Sequence, residues 1–122
     1  MNEEGEAKNH TMAREACKRE GGRLVEVEEE CKQEAIEKMA KETFGDNWEN
    51  KWFWIGLTRA GADGEFLWEE SQRQLDFTNW APNEPGRRRG CAGIASTKYE
   101  DNHFSWVGKR CERYFWNSLC EK

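Results

Sequence analysis

An α+β fold, with two helices flanking a mostly antiparallel sheet, is what this 122-residue sequence predicts. Three observations lead there. Helical periodicity is confined to the stretch before Glu42. Short apolar runs rich in aromatic residues follow it, bounded by glycines, as strands are. Between them, Leu75 to Gly90 carries both prolines and no periodicity, and reads as a long irregular loop. A loop that long inside a small domain is usually functional. Helices that come first and strands that come after give segregated layers rather than a parallel α/β sheet.

Taken in order, residues 1–10 are polar and are expected to be frayed or to form an atypical first strand. Asn9-His10-Thr11 spells an N-glycosylation sequon. Thr11 can cap a first helix running to about Glu20, with Met12, Ala13, Ala16 and Cys17 on its apolar face. Gly21-Gly22 ends it, because glycine accepts the left-handed backbone that stops a helix. Leu24 to Val27 is a short extended piece. The second helix is expected over about Glu28 to Glu42. Cys31, Ala35, Ile36, Met39 and Ala40 would share its buried face, and three acids near its start suit the helix dipole. Trp52 to Leu57 reads as a buried strand, Gly61 to Gly64 as a turn, and Phe66-Leu67-Trp68 as a second short strand. Cys91 to Ala95 is a strand with Phe104 to Val107 as its hairpin partner, and Arg113 to Cys120 is the last strand.

Length is that of one domain, spanning 1–122. Apolar residues at 36% allow one modest core, and the seven Trp can anchor it. No apolar run reaches the 18 residues of a transmembrane helix, so no membrane insertion is expected. Met1 to Gly5 is acidic and does not read as a signal peptide, so a secreted protein would be met here in mature or trimmed form. Charge is unevenly spread. Residues 1–86 hold 11 Lys/Arg and 20 Asp/Glu, whereas residues 87–113 hold seven and three, which can mark a surface for anionic partners. The chain as a whole is acidic, so nucleic acid is not an expected partner. No nucleophile–base pair or metal cluster stands out, and no enzyme activity is expected. The five cysteines allow two bridges and a spare thiol, and spacing alone does not choose among the pairings. A cytosolic protein with buried thiols is the competing reading. Without a Cys-x-x-Cys pair, and with His10 and His103 remote from the cysteines, structural zinc is not expected.

The order of these features resembles a C-type lectin-like domain over Thr11 to Lys122. Ala13-Arg14-Glu15-Ala16-Cys17 with Gly21-Gly22-Arg23-Leu24, then Trp54-Ile55-Gly56-Leu57, Phe66-Leu67-Trp68 and Asn79-Trp80 carry the likeness. Cys91, Trp106, Cys111 and Leu119-Cys120-Glu121 complete it. The resemblance implies bridges Cys17–Cys120 and Cys91–Cys111. Cys31 is then left over, as a reduced core thiol or as the site of an intermolecular bridge in a dimer. The family's aromatic first strand has no counterpart in residues 1–10, so it is trimmed, replaced or lost.

Sugar-binding members of that family hold calcium in the long loop through hard oxygen ligands. Here the loop reads Glu84-Pro85-Gly86, the acid expected before Cys91 falls on Arg87-Arg88-Arg89, and a Trp-Asn-Asp triplet reads Trp106-Val107-Gly108. Glu84 is the one expected calcium ligand retained, so no cofactor is expected. Glu26, Glu28 and Glu121 match positions of a second, structural calcium site of some members, but Lys32 stands where a further acid is expected, so a solvated acidic face is the preferred expectation there. Arginine's planar fork suits sulfate and carboxylate. The resemblance therefore implies an extracellular, secreted recognition module. It would bind a glycan, sulfated or acidic, or a protein, through Trp80, Asn83, Glu84, Arg87, Arg88, Arg89 and an exposed Trp106. The alternative is a calcium-dependent lectin with rearranged ligands, Glu84 joined by Glu100, Asp101 or Asn102.

Overall fold

The computed structural model describes residues 2–3, 8–45, 51–59, 64–86, 89–96, 104–114 and 116–122. The elements are β1 (Asn2–Glu3), α1 (His10–Arg19), β2 (Arg23–Leu24), α2 (Glu30–Phe44), β3 (Lys51–Thr58), β4 (Leu67–Trp68), β5 (Cys91–Ser96), β6 (Phe104–Lys109) and β7 (Asn117–Glu121). The sheet runs β1-β7-β3-β5-β6, with β2 on β7 and β4 on β3. Among the strands of the described residues, β3 and β7 pair in parallel and the other strand pairings are antiparallel. This is the expected α+β arrangement. The turn expected at Gly61 to Asp63 lies outside the described residues.

The first helix starts earlier than Thr11. Asn9 has an extended backbone, and its Oδ1 accepts from Met12 N–H at 2.8 Å, so Asn9 is the cap and Thr11 is already helical. Ala13, Ala16 and Cys17 are buried, but Met12 lies at the edge of that stripe and is 47% exposed. Gly21 takes φ +79° and its N–H reaches the Lys18 carbonyl at 3.0 Å, which closes the helix as expected.

Among the described residues near the start, three make backbone pairings. Asn2 and Glu3 pair with Cys120 and Leu119, and Lys8 exchanges two 2.8 Å backbone hydrogen bonds with Trp116. A two-residue strand, β1, thus lies along β7. Trp54 Nε1 donates to the Lys8 carbonyl at 2.7 Å, and buried His10 places Nε2 3.0 Å from the Ile55 carbonyl. Burial drives the His10 pKa from 6.5 down to about 4. The hydrogen bond to Ile55 opposes the shift and the Arg14 charge adds to it.

The second helix is rotated relative to its expected face. Gln33, Ile36 and Ala40 are buried, while Cys31 and Ala35 are exposed. The cause is polar. Gln33 Nε2 donates to the Phe104 carbonyl at 3.0 Å, and its Oε1 accepts from Trp106 Nε1 at 2.9 Å. Turning Gln33 inward satisfies buried groups on β6 that no apolar side chain could serve. Cys31 is thereby placed on the opposite side, as a free surface thiol and not a core one. A hydrogen bond to Glu29, with smaller contributions from desolvation and the Glu29 charge, raises its pKa.

The core lies between α2 and the sheet. Val25, Val27, Ile36, Phe53, Ile55, Leu57, Trp68, Ile94, Phe104, Trp106 and Leu119 are buried there. Each fully buried Trp contributes up to about 4–6 kcal/mol of transfer free energy before entropy is charged. A second cluster gathers Ala13, Leu24 and Trp54 around the Cys17–Cys120 bridge. The Cys91–Cys111 bridge ties the start of β5 to the turn after β6. Both pairings agree with the resemblance.

Candidate functional site

The long loop is fastened to β6 at its start. Ala81 N–H donates to the Trp106 carbonyl at 2.9 Å, and Trp106 N–H donates to the Asn79 carbonyl at 2.8 Å. Trp80 thus lies alongside Trp106 as one more short strand would. The two indoles meet edge to face at 5.6 Å. Trp106 itself is 0% exposed, so the expectation of an exposed ring at this position is corrected. Its indole N–H is held by Gln33 and its edge packs against Trp68 and Phe77. Trp80 is half-buried.

A tight turn follows. Pro82 supplies its second residue, Asn83 its third with φ +66°, and Glu84 N–H closes it on the Ala81 carbonyl at 3.0 Å. Asn is one of the few residues that accept that backbone, so the sequence Ala-Pro-Asn-Glu fits a type II turn. Asn83 is exposed at the tip. The Glu84-Pro85 peptide is cis.

Glu84 does not point into solvent. Its Oε1 accepts from Gly108 N–H at 2.8 Å. Gly108 permits this approach because it has no side chain. A Cβ there would lie 3.0 Å from Pro85 Cβ and 3.1 Å from Arg89 Cβ. The loop is therefore packed onto the backbone of β6 at the very position where the resemblance expects a ligand side chain.

One residue that sequence reading passed over holds the loop closed. Arg59 Nη2 donates to the Gly86 carbonyl at 2.7 Å and Nε to the Arg89 carbonyl at 2.9 Å. Its guanidinium also lies 4.8 Å over the Phe66 ring, a cation–π contact. Nothing local marks Arg59, since its partners lie 27 and 30 residues downstream. Arg89 is half-buried and contributes its carbonyl here. Arg87 and Arg88, like Glu100, Asp101 and Asn102, lie outside the described residues.

A second cluster sits where β2, α2 and β7 meet. Lys32 Nζ donates to Glu28 Oε1 at 2.9 Å and also pairs with Glu121 Oε1. Glu121 Oε2 accepts from Glu26 N–H at 2.9 Å and from Arg23 Nε at 3.2 Å. Desolvation is the largest influence on the Lys32 pKa and lowers it. The bonds to Glu121 and Glu28 together outweigh it and leave the pKa raised. Glu26 is wholly buried and turned elsewhere: its Oε2 accepts from the N–H groups of Glu70 at 2.9 Å and Ser71 at 3.2 Å. An ammonium thus occupies the space between the two acids, and the third acid staples a turn. Among the described residues, no group of three or more His, Cys, Asp or Glu is arranged to hold a metal ion. No helix among them is long and apolar enough to cross a membrane.

Comparison with known proteins gives a family. The model of the lectin C-type domain matches residues 6–122. A salivary C-type lectin 2 of Aedes albopictus is 28% identical over 117 residues, covering 92% of this chain and 76% of that protein. In two further relatives the match spans about half of their length, 48% and 44%. Among solved structures, the C-type lectin domain of murine dendritic cell inhibitory receptor 2, in complex with N-glycan, superposes with a TM-score of 0.76. It is 21% identical and covers 96% of this chain and 84% of that one. The Ca2+-independent C-type lectin SPL-2 from Saxidomus purpuratus gives 0.76 at 18% identity, with 94% and 79% covered. These two likenesses show the fold.

Proposed function

The chain belongs to the C-type lectin domain family, a family of non-enzymatic binding domains, and from that premise we propose that it recognises a glycan through its long loop without calcium. One observation carries the proposal: Glu84, the single loop carboxylate kept from the family motif, accepts the backbone N–H of Gly108. Calcium takes 6–8 oxygens at about 2.3–2.6 Å. Here one carboxylate is already engaged, Gly108 offers no side chain, and the neighbouring side chain, Arg89, is basic and brings no oxygen ligand. The residues described at this site do not fit the ion. Arg59 supplies a fixed guanidinium that orders the same loop, and Lys32 fills the second acidic cluster. A relative in fold is named as Ca2+-independent, which agrees with this reading.

The ligand would meet Trp80, Asn83 and the arginine-rich stretch Arg87 to Arg89, with sulfated or acidic glycans favoured by the guanidinium groups. The protein would be extracellular. Two disulfides suit an oxidising compartment, and a relative is named as salivary.

A glycan array run with calcium and again with chelator tests this. Binding to acidic glycans that survives chelation and fades with salt is expected. Binding that disappears with chelator would restore the calcium-dependent reading. An array blank under both conditions would point to a protein ligand.

A further inference from the structure

We propose that a groove beside Trp80, between Arg59 and Gly64–Phe66 on one side and Gln74-Leu75 on the other, binds an uncharged pyranose ring. This rests on the reading of the domain as a glycan binder and adds a second place and a sugar class to it. The groove encloses about 420 Å³ and is lined by Arg59, Glu65, Phe66, Gln74, Leu75 and Trp80. Ligand pockets run from about 300 to 1,000 Å³, so this one suits a single ring or a short oligosaccharide end. A neighbouring hollow of about 540 Å³ shares Arg59 and Glu65 and continues past Leu67 and Gln72. A second ring has room to follow the first.

The lining chemistry selects the ligand. Trp80, half-buried and backed at 5.1 Å by the buried Phe66, offers the aromatic surface for the apolar face of a sugar ring. Neither ring is loose, because Trp80 is bridged to Trp106 and Phe66 is covered by Arg59. Around them stand a carboxylate, an amide and a guanidinium. A hydroxyl both donates and accepts, so neighbouring hydroxyls can donate to Glu65 and accept from Gln74 and Arg59. Arg59 is immobilised by three contacts, and among the described residues its Nη1 carries no hydrogen bond. Such pre-ordering lowers the entropy that binding must offset. Arg59 and Glu65 bring opposite charges to one wall. An anionic sugar would face Glu65 and a cationic one Arg59, whereas an uncharged ring is opposed by neither.

The test is a titration of the 15N-labelled protein with methyl mannoside, methyl galactoside and N-acetylglucosamine, following the Trp80 indole N–H signal. At least one sugar is expected to shift it saturably, with no change on adding chelator or salt. Glu65→Ala and Gln74→Ala, both exposed and outside the core, are each expected to weaken that sugar about three- to tenfold, the equivalent of one hydrogen bond. Trp80→Ala should abolish it, and circular dichroism of that variant checks its fold. An indole signal that no uncharged sugar moves overturns the proposal, as does a shift unchanged in the Glu65→Ala/Gln74→Ala pair. If salt-sensitive binding of sulfated glycans is weakened by Arg89→Ala while the indole stays still, the groove fails and the loop reading stands. If the indole responds while the array is blank for acidic glycans, the loop reading fails and the groove stands.

Discussion

Lys32 carries its ammonium between the carboxylates of Glu28 and Glu121, joining the start of α2 to the end of β7. Two acids that would repel are held together by a charge belonging to the chain itself. Lys32→Ala should therefore lower stability by about 2 kcal/mol, the scale of a charged hydrogen bond in a half-buried setting. Urea unfolding measures it. The parent protein should melt at the same temperature with calcium and with chelator. A melting temperature that falls on chelation would refute this account of the cluster.

Acid should loosen the N-terminal segment. His10 titrates at about 6.5 when unfolded and at about 4 in the fold. Its folded pKa is depressed, so the unfolded chain binds more protons between those values. Stability is therefore full above about pH 6.5 and falls as pH drops toward 4, by up to about 3 kcal/mol. His10→Gln keeps a donor for the Ile55 carbonyl and should flatten the stability profile in that window. An unchanged profile in the variant would assign the acid sensitivity elsewhere.

Trp106 should behave as a core residue. Trp106→Ala is expected to cost about 3–5 kcal/mol, because it removes a large buried ring and strands the Gln33 amide. Any ligand binding should be lost only in proportion to the unfolded fraction. Loss of binding in a fully folded Trp106 variant would return that ring to the binding surface.

The two bridges should differ in weight. The Cys17–Cys120 bridge spans 103 residues and the Cys91–Cys111 bridge 20. Loop-closure entropy gives roughly 4–5 kcal/mol for the first and roughly 3 for the second. Paired Cys→Ala variants and thermal unfolding measure the order. Cys31→Ser, at an exposed position, should stay within about 0.5 kcal/mol.

Much of the fold is legible in the residues because its signals are local. Ala13, Ala16 and Cys17 recur at helical spacing, Gly21 sits where a left-handed residue is needed, and Phe53 to Leu57, within the expected strand, is an uninterrupted buried run. What was missed depends on partners far away in sequence. Cys31 reads as buried on a helical wheel, yet Gln33 displaces it because Trp106 and the Phe104 carbonyl, more than 70 residues on, need hydrogen bonds. Asn9 rather than Thr11 caps α1, since both residue types can cap and only the chain's entry path decides. In the loop, the Glu84-Pro85 pair is read from the motif. The closure of Glu84 onto Gly108 and the clamp from Arg59 are tertiary events with no local signature.

The placement of β7 also bears on how the protein is made. That strand receives β1 and β2 along their length and β3 in parallel, so three early parts of the chain share one late partner. A nascent chain emerging from the ribosome has no β7 on which to assemble them, and pairings this distant in sequence form slowly. Throughout that interval Cys17 has no Cys120 to join, while Cys31 is only a few turns away. In the finished fold Cys17 is bridged to Cys120 on β7 and Cys31 is a free, exposed thiol on α2, so the docking of β7 is what brings the bridged pair within reach.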